Sequence, residues 1–147
     1  ENAFPVAAPG FAKAKGLTVR STPDDYDAPD LLHHTRGTYG WLHWPAYYEA
    51  LGIQFSAFET ISSYNSYPLL IDRAVAGEGI VMGHKGPIDQ YLNAGTLVQV
   101  GPPVARANHG YFLLPGNEPS VKPATRQLQA WLLQQGGVTR DENPIRG

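Results

Sequence analysis

The 147-residue sequence contains no cysteine. Disulfides, thiol nucleophiles, iron–sulfur ligation and cysteine-based zinc sites are therefore excluded together. An excess of positive charge is also missing: 11 Lys and Arg stand against 13 Asp and Glu, for a net charge of −2 at pH 7. That balance disfavours nucleic acid or an anionic membrane as a direct partner of this surface. Apolar runs are short, Phe112-Leu113-Leu114 being typical, and none approaches the ~20 residues that cross a bilayer. No basic stretch followed by an apolar one reads as a signal peptide. The chain opens on Glu1 rather than methionine, the start expected of a processed product or a fragment.

What is present is enough apolar and aromatic material for a core, with 3 Trp, 8 Tyr and 5 Phe. The 16 Gly and 13 Pro stay below the roughly 25–30% that marks low complexity. Apolar periodicity alternates between the strand and helix periods. Residues 3–8 (AFPVAA) predict a short strand closed by Pro9-Gly10, followed by a short helix over 11–15. Residues 21–29 are a polar, proline-bearing loop, 31–34 a strand and 35–40 a turn. Trp44, Tyr47, Tyr48 and Leu51 fall at i, i+3, i+4 and i+7, with Pro45 in the first turn and Gly52 as the stop.

Residues 54–61 (QFSAFETI) are rich in β-formers and predict a strand. The clearest helix carries Tyr67, Leu70, Ile71, Ala74 and Val75 on one face. Asn65 or Ser66 would cap it, Pro68 sits in its first turn and Gly77 ends it. Residues 79–83 (GIVMG) predict a buried strand, and Gly86-Pro87 opens a helix with Ile88, Tyr91 and Leu92 that stops at Gly95. Strands are expected at 97–100 and 110–114. A last helix carries Ala124, Leu128, Trp131 and Leu132, and 136–147 reads as a frayed tail. Alternating strands and helices mean an α/β fold with a largely parallel, doubly wound sheet. Ligands of such sheets sit beyond the carboxyl ends of the strands. Those positions are 62–66, 83–86 and the Thr35-Arg36 pair.

Several motifs have ordinary explanations. Gly77-Glu78-Gly79 with Gly83 has the wrong spacing and order for a dinucleotide fingerprint; a helix stop and a tight turn account for it. His33, His34 and His43 lack the helical i, i+4 pairing of a metal motif, so no metal is expected, although one of them could line a pocket as a neutral group. No G-x-S-x-G elbow supports a hydrolase. The turn 62–66 brings hydroxyl and amide groups to a helix start, where free N–H groups and the macrodipole suit a carboxylate or other anion. Trp41, Trp44, Tyr47, Tyr48, Tyr64 and Tyr67 offer either a cage for a cation or, as is usual at helical spacing, core.

Residues 64–83 (YNSYPLLIDRAVAGEGIVMG), then 97–100 and 110–115 (GYFLLP), resemble the effector-binding domain of LysR-type transcriptional regulators. The subgroup that includes the glycine-cleavage activators is the nearest likeness. Phe4-Pro5-Val6-Ala7-Ala8-Pro9 and Leu31-Leu32-His33 are similar to the segment where that family crosses from its first regulatory lobe into its second. The resemblance implies a periplasmic-binding-protein-like fold with two crossover strands. Residues 1–135 would be the C-terminal part of the domain: crossover strands at 3–9 and 110–115, the second lobe at 10–109, and a helix at 120–135 returning to the first lobe. The helix-turn-helix and most of the first lobe would be missing, so DNA would be bound only through that absent part.

The function implied is effector sensing in the bacterial cytoplasm, without catalysis, cofactor or membrane. A small molecule between two lobes would shift the parent oligomer, a dimer or tetramer. By position, the resemblance assigns the effector contacts to Asn65 and Ser66, flanked by Tyr64 and Tyr67. Ala7, Ala8, Gly83 and His84 join them, with Thr35 and Arg36 beside. Lacking half a sheet, the fragment is expected to expose apolar surface at its crossover strands and to self-associate. A secreted solute-binding protein shares this fold; a signal peptide encoded upstream, rather than a helix-turn-helix, would mark it.

Overall fold

The computed structural model describes residues 1–35, 40–56, 61–107, 109, 113 and 122–135. The chain divides into two units, residues 1–110 and 111–147.

The first unit is organised around β1 (Asn2–Ala7), buried from Ala3 onward. Its apolar run is explained by its place in the middle of a six-stranded sheet. On one side it pairs antiparallel with β4 (Ile80–His84). On the other it meets β5 (Val98–Gln99) near its end and β6 (Val104–Ala105) near its start, again antiparallel. Beyond β4 lies β2 (Leu31–His34), and beyond that β3 (Ser62–Tyr64), both parallel. The largely parallel sheet expected from sequence is thus corrected: β2, β3 and β4 are parallel, but β1 opposes its neighbours. A period-2 pattern reports burial, not direction. The expected apolar exposure at the first crossover strand is corrected by the same pairing, since Ala3, Phe4, Val6, Ala7 and Ala8 are all buried.

Alternation along β1 and β4 sends side chains to two cores. On one face Ala3, Ala7, Leu31, Ile80 and Met82 pack with Ala12 of α1 (Pro9–Lys15), with Tyr26, and with Trp44, Tyr47 and Tyr48 of α2 (Trp44–Ala50). On the other, Phe4, Val6, Leu32 and Val81 meet Leu70, Ile71 and Ala74 of α3 (Tyr67–Val75), together with Ile88 and Leu97. Each fully buried side chain of this size contributes about 1.5–3 kcal/mol of transfer free energy. Helices on both faces make the sheet doubly wound. Gly79, entering β4, marks a close crossing: an added Cβ would overlap the Asp30 carbonyl oxygen and stand 3.1 Å from Leu32 Cγ.

Some boundaries differ from the sequence reading. The first helix begins at Pro9, with proline in its first turn. No strand forms over residues 54–56, where Phe55 instead sets its ring 4.9 Å from that of Tyr48; residues 57–60 lie outside the described residues. The strand pairing with β2 is Ser62–Tyr64, inside the expected ligand-facing turn. After Gly86-Pro87 the helix proper, α4, covers Asp89–Asn93. In the second unit, α5 covers Pro123–Gln135 and leaves Leu128, Trp131 and Leu132 exposed. Of the expected crossover strand 110–115 only residue 113 is described, and the expected tail 136–147 lies outside the described residues, as does Arg36.

Candidate functional site

The printed register pairs β2 with β4 only at Leu31–Ile80 and Leu32–Val81. Past that point a hydroxyl takes the place of the strand. Lys85 N–H bonds to Asn2 O on the β1 side of β4, so the alternate groups at Met82 and His84 face the β2 side. There the Tyr67 hydroxyl donates to Met82 O at 3.1 Å and accepts from His84 N–H at 3.2 Å. On β2, Leu32 O accepts the indole N–H of Trp44 at 3.0 Å. Two aromatic side chains therefore satisfy the backbone where the parallel ladder stops.

A cavity of about 20 Å³ opens at this position, beside the carboxyl ends of β2 and β4 and the start of α3. β2 contributes Leu32, His33 and His34; β4 contributes Met82 and His84; α3 contributes Tyr67; residues 41–44 close the remaining side. Rings dominate. Trp41 lies 4.8 Å from His84 and 5.4 Å from Tyr67 between ring centroids, and Tyr67 is 5.4 Å from His84. His34 approaches Tyr67 at 6.3 Å, and His33 approaches His43 at 6.4 Å. The volume admits one water-sized group.

Three of the imidazoles, His33, His43 and His84, are biased toward the neutral form. Burial pushes His33 and His43 below the ordinary histidine range, with neighbouring positive charge adding to the effect. Burial takes His84 down to about 4, against the pull of Glu1. His43 also caps α2, its Nδ1 accepting the Ala46 N–H at 3.3 Å. Among the described residues, His33 Nδ1 is buried without a hydrogen-bond partner. Behind the pocket, Glu1 Oε1 accepts from Leu42 N–H at 2.8 Å and stands 3.1 Å from His84 Nδ1. Glu1 Oε2 pairs with Arg106 Nη2. Burial raises the Glu1 pKa, but the bonds from Arg106 and Leu42 outweigh it and hold the carboxyl below its usual range.

Of the residues singled out from sequence, Tyr67 and His84 meet at the pocket itself. Thr35 and Tyr64 lie next to it, with both the N–H and the hydroxyl of Thr35 donating to Tyr64 O, at 2.7 and 3.0 Å. Ser66 is the N-cap of α3 but makes no side-chain cap bond, and Asn65 is exposed beside it. Gly83 belongs to packing: an added Cβ would stand 3.0 Å from Val6 Cγ1 and 3.2 Å from Ile88 Cγ1. Ala7 and Ala8 are not brought to the pocket. Ala3 pairs with His84 and Val6 with Val81, so the antiparallel course of β1 carries Ala7 and Ala8 to the opposite end of the sheet. Trp44 and Tyr47, at 1% and 0% exposure, belong to the core, and of the six aromatics Trp41, Trp44 and Tyr67 line the pocket. Among the described residues no group of three His, Asp or Glu is placed to hold a metal. Glu1 and Arg106 are the contributors sequence reasoning missed; no local pattern links residues 105 positions apart.

No protein-family model matches the sequence, and no curated protein is similar to it. Solved structures do match. The fold is that of the effector-binding domains of LysR-type transcriptional regulators, periplasmic-binding-protein-like. In particular, the effector domain of the transcriptional regulator AmpR of Pseudomonas aeruginosa aligns with a TM-score of 0.65 at 14% identity, over 92% of this chain and 62% of that one. The AmpR effector binding domain from Citrobacter freundii aligns with a TM-score of 0.61 at 18% identity, over 91% of this chain and 62% of that one. The chain thus spans about 62% of the length of these domains. Among the described residues no helix is long and apolar enough to cross a membrane.

Proposed function

We propose that this chain is the C-terminal part of the effector-sensing domain of a bacterial LysR-type transcriptional regulator. One observation carries the reading: an imidazole- and aromatic-lined pocket at the carboxyl ends of β2 and β4, in a chain with the fold of AmpR effector domains. The ends of parallel strands beside a helix start are where open α/β sheets bind ligands. A 20 Å³ cavity takes one end or one ring edge of a small molecule, and the remainder lies toward a second lobe. Thr35, Tyr64, Asn65 and Ser66 form the polar rim on this side, and Tyr67 and His84 form the floor. A few such hydrogen bonds with ring packing are sufficient for micromolar binding, about 8 kcal/mol. Binding favours one arrangement of a cytoplasmic homo-oligomer, a dimer or tetramer, and so acts by population shift rather than by catalysis. DNA is contacted through a helix-turn-helix outside this chain.

The test uses the full-length regulator. The double substitution Asn65→Ala and Ser66→Ala touches an exposed residue and an N-cap without a cap bond, so folding is preserved. Loss of the effector response with operator binding intact is expected; an unchanged response moves the site elsewhere. A thermal-shift screen of small acids, amino acids and quaternary amines identifies the effector.

A further inference from the structure

A charge pair lies behind the pocket and meets its lining at Leu42 and His84. β6 pairs with β1 at Asn2–Ala105 and Ala3–Val104, and the same antiparallel register sets Glu1 directly opposite Arg106. Their side chains are 10% and 23% exposed. Arg106 Nη2 donates both to Glu1 Oε2 and to Gly40 O. Glu1 Oε1 in turn accepts from Leu42 N–H at 2.8 Å. The pair therefore grips the backbone on both sides of Trp41, at Gly40 and at Leu42. Between those two fixed points Trp41 has its ring against His84 and Tyr67, forming one wall of the cavity. Glu1 Oε1 also lies 3.1 Å from His84 Nδ1, so the same carboxylate faces the opposing wall.

We infer that Arg106 and Glu1 are positioning residues of the pocket, a two-sided clamp that sets Trp41 against His84 and Tyr67 and so fixes the shape offered to the ligand. This rests on the reading of the pocket as an effector site, but the clamp itself is measurable without any ligand. A pair that merely stabilised the sheet would leave the Trp41 environment unchanged once the variant had folded. A clamp on the two flanking peptides makes Trp41 the first group to respond, because local opening follows the loss of the bonds that hold a segment.

The experiment reads Trp41 by acrylamide quenching of tryptophan fluorescence, in a Trp131→Phe background. Trp131 is exposed and would dominate the signal, whereas Trp44 is buried and contributes little quenchable emission. Arg106→Gln and, separately, Glu1→Gln are expected to roughly double the quenching constant and shift the accessible emission to the red, while far-ultraviolet circular dichroism is retained. Arg106→Lys, which keeps the charge but not the two-way donor, is expected to fall between wild type and Arg106→Gln. Should Arg106→Gln fail to fold, Glu1→Gln alone decides, since it keeps shape while removing the charge and turning one of the two acceptor oxygens into a donor. A wild-type quenching constant in a folded Glu1→Gln protein overturns the clamp. If no small molecule ever binds the wild-type protein, the effector reading fails while these quenching results stand.

Discussion

Replacing Tyr67 with Phe removes one oxygen from the pocket and leaves the ring. That oxygen is shared: it donates to Met82 O at 3.1 Å and accepts from His84 N–H at 3.2 Å. The ring contacts with His34, Trp41 and His84 survive the change. Each hydrogen bond contributes a net ~0.5–1.5 kcal/mol, and a buried group left unpaired costs more than the bond itself. Met82 and His84 are both buried, and the adjoining 20 Å³ cavity has room for one water in place of the hydroxyl, which sets the lower end of the cost. The expected destabilisation is about 1–3 kcal/mol. For a chain near this length that lowers the melting temperature by roughly 3–9 °C. Urea denaturation followed by fluorescence measures it: the midpoint should fall while the slope stays fixed, since the surface exposed on unfolding is unchanged. Amide hydrogen exchange supplies the second reading, with His84 N–H losing protection in the variant. An unchanged midpoint with His84 still protected would refute the reasoning, because some other group would then be closing the end of the ladder.

The His84 ring, held down to about 4 by burial against the pull of Glu1, titrates below its ordinary 6.5. The unfolded chain therefore binds this proton first as pH falls. The contribution is complete above pH 6.5, declines toward pH 4 and amounts to on the order of 3 kcal/mol. Denaturation midpoints taken from pH 7 to 4 should drop across that window and drop less in His84→Gln; equal profiles for the two proteins would exclude His84 as the source. At Gly79 an added Cβ would overlap the Asp30 carbonyl oxygen. Gly79→Ala should cost about 1–3 kcal/mol by forcing the backbone apart, and a wild-type melting temperature would show that the crossing is looser than described.

How much of this could be read from the chain varies with the physics of each part. The α3 helix was legible because Leu70, Ile71 and Ala74 repeat at the helical period and are buried together. The β4 strand was legible because IVM is buried on both faces. The α2 aromatics were legible as core, though a cage was the rival reading. β3 was not legible: Ser62, Ser63 and Tyr64 form an edge strand with little burial, so neither composition nor alternation marks it. The β-formers of residues 54–61 drew the expectation to the segment before it, of which residues 54–56 form no strand. The direction of β1 was also hidden, because alternation is the same read either way, and with it went the placement of Ala7 and Ala8. At the candidate pocket, Tyr67 and His84 are lining residues that position at a helix start and a strand end had singled out. The Glu1–Arg106 pair emerges only when β1 and β6 adopt their register.

The cap at the start of α2 has a chemical corollary. His43 Nδ1 accepts the Ala46 amide hydrogen, so in the neutral ring the proton resides on Nε2 and the tautomer is dictated by the helix. Adding a proton at Nδ1 would set two donors face to face. Ring ionisation and fraying of the first helical turn are therefore one equilibrium, and whatever moves one moves the other.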